Sequence, residues 1–343
     1  MKKIMKRLAA LAAVSTMTLT ALVGCATTSS VDNSEVVATI GDSEVTAGVA
    51  NFYLRYQQSG MEALYSMYFG ENFWTQASPD GTVYGDSLKA DVMDIIHEFY
   101  LLEDHMADYN VTLSEDDLAL IDKSAADFVE ANSESTLKNI SGDVEVVKEV
   151  LRLFAINERM FQAITADVDR EISDDEAAQK KLRYYSVSTT KSEDGKTVAM
   201  SEEEIGALTV EMKAFLAGAK ETGSMEEYAK ETGVSTYELT FDKNTTTIPA
   251  EVIEAADALK EGEFTDIVET EYYYFIAQLE SEYDEEATKT AVEEKINEIE
   301  SAHYSEVVEK WMDETTIEEY RDVIKQINVS SLKVLSTGTD EEE

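Results

Sequence analysis

The 343-residue sequence contains few basic residues and very few cysteines and histidines. It has one cysteine and three histidines, and 28 lysines and arginines stand against 71 aspartates and glutamates. A single cysteine excludes a disulfide within the chain and argues against a cysteine-ligated metal or a catalytic thiol. The formal net charge of -43 excludes nucleic acid as a partner, because phosphate binding depends on clusters of Lys and Arg.

The N-terminal apolar stretch is too short to be a stable membrane span. Leu8 to Val23 follows four basic residues and ends in small residues, a pattern typical of a secretory signal peptide over residues 1–24. The residues directly before Cys25 resemble a bacterial lipobox, so Cys25 is predicted to carry the lipid. Two acyl chains would anchor the protein on the outer face of the bacterial cytoplasmic membrane, with residues 25–34 as a flexible tether. The alternative is an exported protein with a stray thiol.

The pattern of residues 35–181 predicts a helical domain that follows a short β-hairpin. Residues 35–45 alternate around a Gly41–Asp42 turn, which is typical of a hairpin. Apolar residues then recur at helical spacing, and the long helices are predicted to begin at four capping residues: Thr46, Asp86, Ser114 and Asp143.

At about residue 182 the pattern becomes rich in β-formers. Residues 182–283 predict strands and helices in the order βααβαββ, with a polar loop at 190–200 after the first strand. A long acidic helix follows from Asp284, within a C-terminal helical segment at 284–333 and before an acidic tail at 334–343. This helix has too little apolar surface to stand alone, so the segment is predicted to return to the helical domain.

This order of elements resembles the extracytoplasmic foldases of the PrsA and SurA type. Residues 248–280 are similar to that family's parvulin segment, with Pro249 in the first turn of a helix and Leu259, Lys260 and Gly262 in the turn that follows. Residues 223–235 and 36–54 are similar to two further family segments. The resemblance implies an α+β fold: a helical SurA-N-like chaperone core formed by the N- and C-terminal segments, with an inserted parvulin-like domain.

The chain departs from the family where parvulin domains usually carry a pair of histidines. The first-strand position falls on Tyr184 or Tyr185, and the last-strand position falls on Phe275. All three histidines of the chain lie outside 182–283. Candidate catalytic residues are therefore Tyr185, Phe275 and Glu238, which stands near the family's acidic position. Glu238 has the simpler interpretation of a solvated surface carboxylate.

No metal or cofactor is predicted. His97 and His105 are eight residues apart on one helix, about 12 Å along its axis, which is too far to share a zinc ion. The acidic run at 114–117 is explained by helix capping rather than calcium binding.

Aromatic and methionine residues are dense between Phe52 and Trp74, and could line a groove for unfolded chains, although core packing explains them equally. The client-binding candidates are Tyr56, Met61, Tyr65, Tyr68 and Phe73.

The sequence therefore predicts a lipid-anchored chaperone whose partners are unfolded or newly secreted polypeptides. One alternative is an active prolyl isomerase with an altered site. A two-lobed solute-binding lipoprotein is disfavoured, because the N-terminal half lacks repeated βαβ units.

Overall fold

The computed structural model describes residues 31–70 and 72–329. The chain forms two compact units: unit 1 combines the residues up to Val168 with those from Glu300 onward, and unit 2 is Asp169–Ile299. Within the described residues, no helix is both long and apolar enough to cross a membrane. The predicted signal peptide, the predicted lipid anchor at Cys25 and the acidic tail lie outside the described residues.

Unit 1 begins with the hairpin that the sequence predicts. Strand β1 (Val36–Ile40) pairs antiparallel with strand β2 (Ser43–Thr46). The two strands are joined through Gly41, whose φ of 56° is a left-handed conformation that glycine adopts at no steric cost.

Five α-helices follow one another along residues 47–164. They are α1 (Ala47–Phe69), α2 (Tyr84–Asp104), α3 (Glu115–Ala131), α4 (Glu134–Ile140) and α5 (Val144–Ile164). Two predicted caps are confirmed. Ser114 and Asp117 form a capping box at the start of α3, and Asp143 accepts the amide hydrogen bond of Val146 at the start of α5. Helix α2 begins at Tyr84, slightly before the predicted Asp86.

Unit 2 contains an antiparallel sheet with helices on both faces. Its helices are α6 (Asp174–Ala177), α7 (Glu202–Thr222), α8 (Met225–Thr232) and α9 (Ala250–Asp257). The sheet has the order β6-β3-β8-β7, with β3 (Lys180–Ser188), β6 (Tyr237–Phe241), β7 (Val268–Glu269) and β8 (Tyr273–Ser281). The predicted βααβαββ order and the α+β class are confirmed.

The segment predicted to be a loop at 190–200 is a second hairpin. Strands β4 (Thr190–Glu193) and β5 (Lys196–Ala199) pair antiparallel. Asp194 and Gly195 both have positive φ, of 51° and 75°, which is the pattern of a tight Asp-Gly hairpin turn. The loop prediction was wrong because it gave the polar composition more weight than this turn signal.

The two faces of the unit 2 sheet carry separate apolar clusters. Leu182 and Tyr184 of β3 pack with α9, whereas Tyr185 packs with α7 and α8. Along β8, Phe275 lies on the α9 face, and its neighbour Ile276 lies on the opposite one. This is the alternation that successive residues of a strand impose.

The C-terminal segment completes the core of unit 1. In that core Tyr53, Phe99 and Phe154 pack edge to face, with ring centroids 5.5–5.7 Å apart. Helix α10 (Glu285–Glu314) adds three buried side chains: Tyr304, Val308 and Trp311. Beyond it, strand β9 (Ile317–Glu319) pairs antiparallel with β1, a strand that the helical prediction for this segment omits. A helical core built from N- and C-terminal segments is confirmed.

Candidate binding surfaces

Helix α1 leaves the core of unit 1 partway along its length. Early in the helix Phe52 and Leu54 are each 1% exposed. After Gly60 the apolar side chains reach the surface, and four of them are more than half exposed: Leu64, Met67, Tyr68 and Phe69. We refer to these four residues as the α1 surface.

A cluster of aromatic rings supports the α1 surface from below. The ring of Phe73 lies 4.8 Å from that of Tyr65, 5.2 Å from that of Phe69 and 4.3 Å from that of Tyr84, centroid to centroid. Phe73 is only 6% exposed as a result. Its role is to pack beneath the surface, where a client would not contact it.

The structure separates the residues predicted to bind clients. Tyr68 belongs to the α1 surface, Met61 and Tyr65 are half-buried at its base, and Phe73 is in the core. Tyr56 lies at the edge of the core, where its ring packs on two core rings.

The predicted set omits Leu64, Met67 and Phe69. One signal in the sequence points to them. Residues 56–70 contain a single charged residue, Glu62, in a chain of which 29% is charged. An uncharged, Met- and Tyr-containing stretch is therefore the feature that distinguishes this part of an acidic chain.

A buried polar network fixes the second half of α1. Arg55 Nη1 donates to Gln58 Oε1 at 2.9 Å, and Gln58 Nε2 donates to Glu62 Oε2 at 3.1 Å. Trp74 Nε1 donates to the same Glu62 oxygen at 2.6 Å, and Arg55 Nη2 donates to the carbonyl of Asn328. Burial lowers the pKa of Arg55 to about 10, so it stays charged at neutral pH. The charges of this stretch therefore lie inside the protein and leave the surface above them uncharged.

Unit 2 carries a second exposed aromatic feature, on the α9 face of its sheet. Rings from three adjacent strands stand side by side: Tyr237, Tyr184, Phe275 and Tyr273, with successive centroids 5.5, 5.8 and 6.0 Å apart. We refer to these four residues as the aromatic row. Its ends are open, because Tyr237 is 54% and Tyr273 is 45% exposed, whereas Phe275 is buried.

The candidate catalytic residues do not come together. Tyr185 points to the face opposite Phe275, where its ring lies 4.4 Å from that of Phe215. Glu238 lies next to Tyr237 in β6 and therefore also points away from the aromatic row. It forms ion pairs with Lys181 at 2.8 Å and Arg183 at 2.9 Å. Of the two first-strand candidates, Tyr184 is therefore the one that lies beside Phe275. Glu238 is an ion-pair partner of basic residues on the neighbouring strand β3.

The aromatic row offers enclosure but no acid–base pair. Its members are three phenols and one phenyl ring. Burial, with a contribution from Tyr237, raises the pKa of Tyr184 above its usual range. The Tyr184 hydroxyl is therefore neutral at physiological pH and is a poor general base.

The histidines and the acidic helix starts have structural environments. His97 is buried with Nε2 3.6 Å from Glu319, and burial lowers its pKa. The His105 ring stacks on Trp311 at 4.0 Å. In the part of the chain that the structure describes, no group of three or more His, Cys, Asp or Glu is placed to hold a metal ion. Asp117 is held by Ser114 and by Arg159 at 2.6 Å.

No protein-family model matches the sequence, and no curated protein matches it. Several solved structures of low sequence identity do match it. The foldase protein PrsA from Lactococcus lactis shares 17% identity over 86% of this chain and 100% of its own, with a TM-score of 0.34.

Two further solved structures are similar to the chain. A SurA-like chaperone of Campylobacter jejuni shares 10% identity over 83% and 99% of the two chains, with a TM-score of 0.32. The peptidylprolyl isomerase PrsA from Bacillus anthracis shares 18% over 64% and 96%, with a TM-score of 0.28. At these identities and TM-scores the similarities assign no role to any residue of this chain.

Proposed function

We propose that this protein is an extracytoplasmic chaperone that holds unfolded polypeptides on the α1 surface. The observation that carries the proposal is the joint exposure of Leu64, Met67, Tyr68 and Phe69 at the end of one helix. Contiguous exposed apolar side chains are typical of interaction sites. Met and Tyr side chains adapt to partners of different shape, which a surface for varied unfolded sequences requires.

The base of the α1 surface supports the same proposal. Glu62 and Trp74 are tied together by a 2.6 Å hydrogen bond, and Phe73 fills the space beside them. The helix is thus fixed from within while its outer side chains remain free to adjust. A client binds without any part of unit 1 having to unfold first.

We place the chaperone on the outer face of the cytoplasmic membrane, held by a lipid on Cys25. The support is the signal-peptide pattern and the lipobox-like residues before that cysteine. Clients would then be newly secreted chains, and the resemblance of the sequence to PrsA- and SurA-type foldases supports that assignment.

A second candidate function is prolyl isomerisation at the aromatic row. Its support is the partly open line of rings around Tyr184 and Phe275. An isomerase has to lower a barrier of about 18–20 kcal/mol by stabilising a twisted amide. Apolar enclosure contributes to that, but the row lacks an acid–base pair, so holding is the better-supported function.

The proposal is tested by removing the apolar character of the α1 surface. In the triple variant Met67→Ser, Tyr68→Ser, Phe69→Ser, at least about tenfold more protein should be needed to suppress aggregation of a diluted, denatured client, because a few central side chains carry most of the binding energy of an interface. Light scattering measures this. The substituted side chains are exposed, and circular dichroism should show an unchanged fold.

The matched control removes three exposed apolar side chains elsewhere. Leu118, Leu120 and Val210 are 45%, 64% and 68% exposed. The triple Ser variant at these positions should keep its holding activity within about twofold of the wild type, as expected for residues outside the binding centre. An equal loss in both variants, or no loss in either, would contradict the assignment of the client site to α1.

A further inference from the structure

The segment of the sequence that carries the α1 surface lacks basic residues. Residues 56–88 contain no lysine or arginine. The nearest basic residue before this segment is Arg55, which is 1% exposed, and its guanidinium donates to Gln58 and to the Asn328 carbonyl. The nearest basic residue after it is Lys89, which is mostly buried and has its Nζ 2.8 Å from Asp86. A client on this surface therefore meets no free cation from this stretch.

An acidic turn lies beside the same surface. Gln76 Nε2 donates to the carbonyl of Phe69 at 3.4 Å, and Tyr84 stacks on Phe73 beneath the surface. The turn between Gln76 and Tyr84 is thus held against the end of α1, and it carries Asp80. Asp86 follows in the first turn of α2, where its carboxylate is paired with Lys89, so Asp80 is the acidic residue that this turn contributes to the rim.

Asp80 is an ionised carboxylate. It accepts hydrogen bonds from the hydroxyl of Ser78 and from the amide of Thr82, the latter at 3.0 Å. These bonds lower its pKa. The rim of the α1 surface therefore carries fixed negative charge, in a chain whose formal charge is -43.

We infer that the polypeptides held on the α1 surface are basic, with Lys or Arg beside aromatic or aliphatic side chains. This inference rests on the proposed holding function and specifies its substrate class. Apolar side chains of the client contact Leu64, Met67 and Phe69, and its cations reach the acidic rim or the face of Tyr68. Acidic segments are repelled by the same field.

The test compares two unstructured, fluorescently labelled peptides that have the same apolar residues. In one, every intervening polar position is Lys, and in the other it is Glu. At low salt the full chain should bind the Lys peptide at least about tenfold more tightly in fluorescence anisotropy. At about 0.5 M salt the difference should fall to about twofold or less, because the screening length shortens to a few ångströms.

Variants locate the source of the preference. Asp80→Asn should lower the Lys-over-Glu preference about twofold at low salt, since charges act most strongly within one screening length. The control, Glu44→Gln, removes one exposed acidic charge from β2, at the other end of α1. This position is about 25 Å from the α1 surface along the helix, so the preference should stay unchanged.

Failure of this inference is distinguishable from failure of the proposed function. Equal affinity for both peptides, with both lost in the Met67→Ser, Tyr68→Ser, Phe69→Ser variant, would overturn the basic substrate class and leave the holding function. A Lys peptide that binds that variant as tightly as the wild type would overturn both. Equal losses of preference in the Asp80→Asn and Glu44→Gln variants would overturn the role of Asp80.

Discussion

The α1 surface and the aromatic row expose similar side chains in different frameworks. On α1 the exposed residues come from successive turns of one helix, and the rings below them cluster around Phe73. In the aromatic row the rings come from three adjacent strands, with Phe275 and Tyr273 both on β8. The α1 surface includes Leu64 and Met67, which are flexible, whereas the row consists of aromatic rings alone.

This difference separates two kinds of binding. A helix whose inner face is fixed by Glu62 and Trp74 presents long, rotatable side chains to solvent, which suits partners of varied shape. A sheet fixes the spacing of its rings, which suits one extended segment in one orientation. Neither set of side chains includes a general base, and the holding function proposed above rests on the α1 surface of unit 1.

The largest expected effect is the loss of stability when the buried polar network beneath the α1 surface is broken. Arg55→Leu removes the positive charge near Glu62 and the donor to the Asn328 carbonyl. Breaking a buried charged network costs about 3–5 kcal/mol, so the free energy of unfolding of unit 1 should fall by about that amount in urea titrations.

The control for this variant is Arg321→Leu, at an exposed position of unit 1. Its free energy of unfolding should change by about 0.5 kcal/mol or less. If Arg55→Leu were no more destabilising than Arg321→Leu, the buried network would not be what fixes α1.

The next effect tests the packing on the sheet that carries the aromatic row. A Cβ added at Gly218 in α7 would lie 2.2 Å from the Tyr228 ring, whereas one at Gly206 in the same helix would meet nothing within 4 Å. Gly218→Ala should destabilise unit 2 by about 1–3 kcal/mol through overpacking. Gly206→Ala should stabilise it by about 0.5–1 kcal/mol through helix propensity. Changes of the same sign in chemical denaturation would show that α7 is not packed against Tyr228.

A smaller effect is expected from the aromatic row itself. Tyr237→Ser with Tyr273→Ser removes its two exposed ends, and the holding of an unfolded client should fall by about twofold or less, as for peripheral contacts. Cis–trans exchange of a prolyl peptide, followed by NMR, should be the same with the wild type and with the variant. Exchange that the wild type accelerates and the variant does not would establish the isomerase alternative.

The smallest expected effect is on how the stability of the protein depends on pH. Burial lowers the pKa of His97 below its usual range, although Glu319 and Asp94 oppose the shift. The unfolded chain therefore takes up a proton at His97 before the native chain does. Stability from this group is present above about pH 6.5 and is lost as the pH falls below that value.

A His97→Gln variant measures this contribution. The free energy of unfolding of the wild type, minus that of the variant, should decrease between pH 7.5 and pH 5. If the difference in unfolding free energy instead rose as the pH fell, the interaction of His97 with Glu319 would outweigh the effect of burial.

Most of the fold follows from short-range patterns, and most of the site does not. The capping box at Ser114 and the βααβαββ order are encoded by local spacing. Strand β9 is not, because three residues carry no period and pair only with the distant β1. The Asp194–Gly195 pair is also a local signal, typical of a hairpin turn, but the polar residues around it favour a loop prediction.

Candidate site residues depend on which way each side chain points. Tyr184 and Tyr185 are adjacent, and only the register of β3 against β8 places Tyr184 beside Phe275. Phe73 and Tyr68 are both aromatic, and only the packing of residues 73–84 beneath α1 buries the first and exposes the second. Composition predicted a region rich in client-binding side chains, but tertiary packing decides which of them a client can reach.

The most direct test of the holding surface is site-specific photo-crosslinking to an unfolded client. A photoreactive residue in place of Tyr68, which is 68% exposed, is compared with one in place of Leu120, which is 64% exposed. The α1 assignment predicts strong client adducts from position 68 and few from position 120. Equal adduct yields at the two positions, or adducts from position 120 alone, would contradict it.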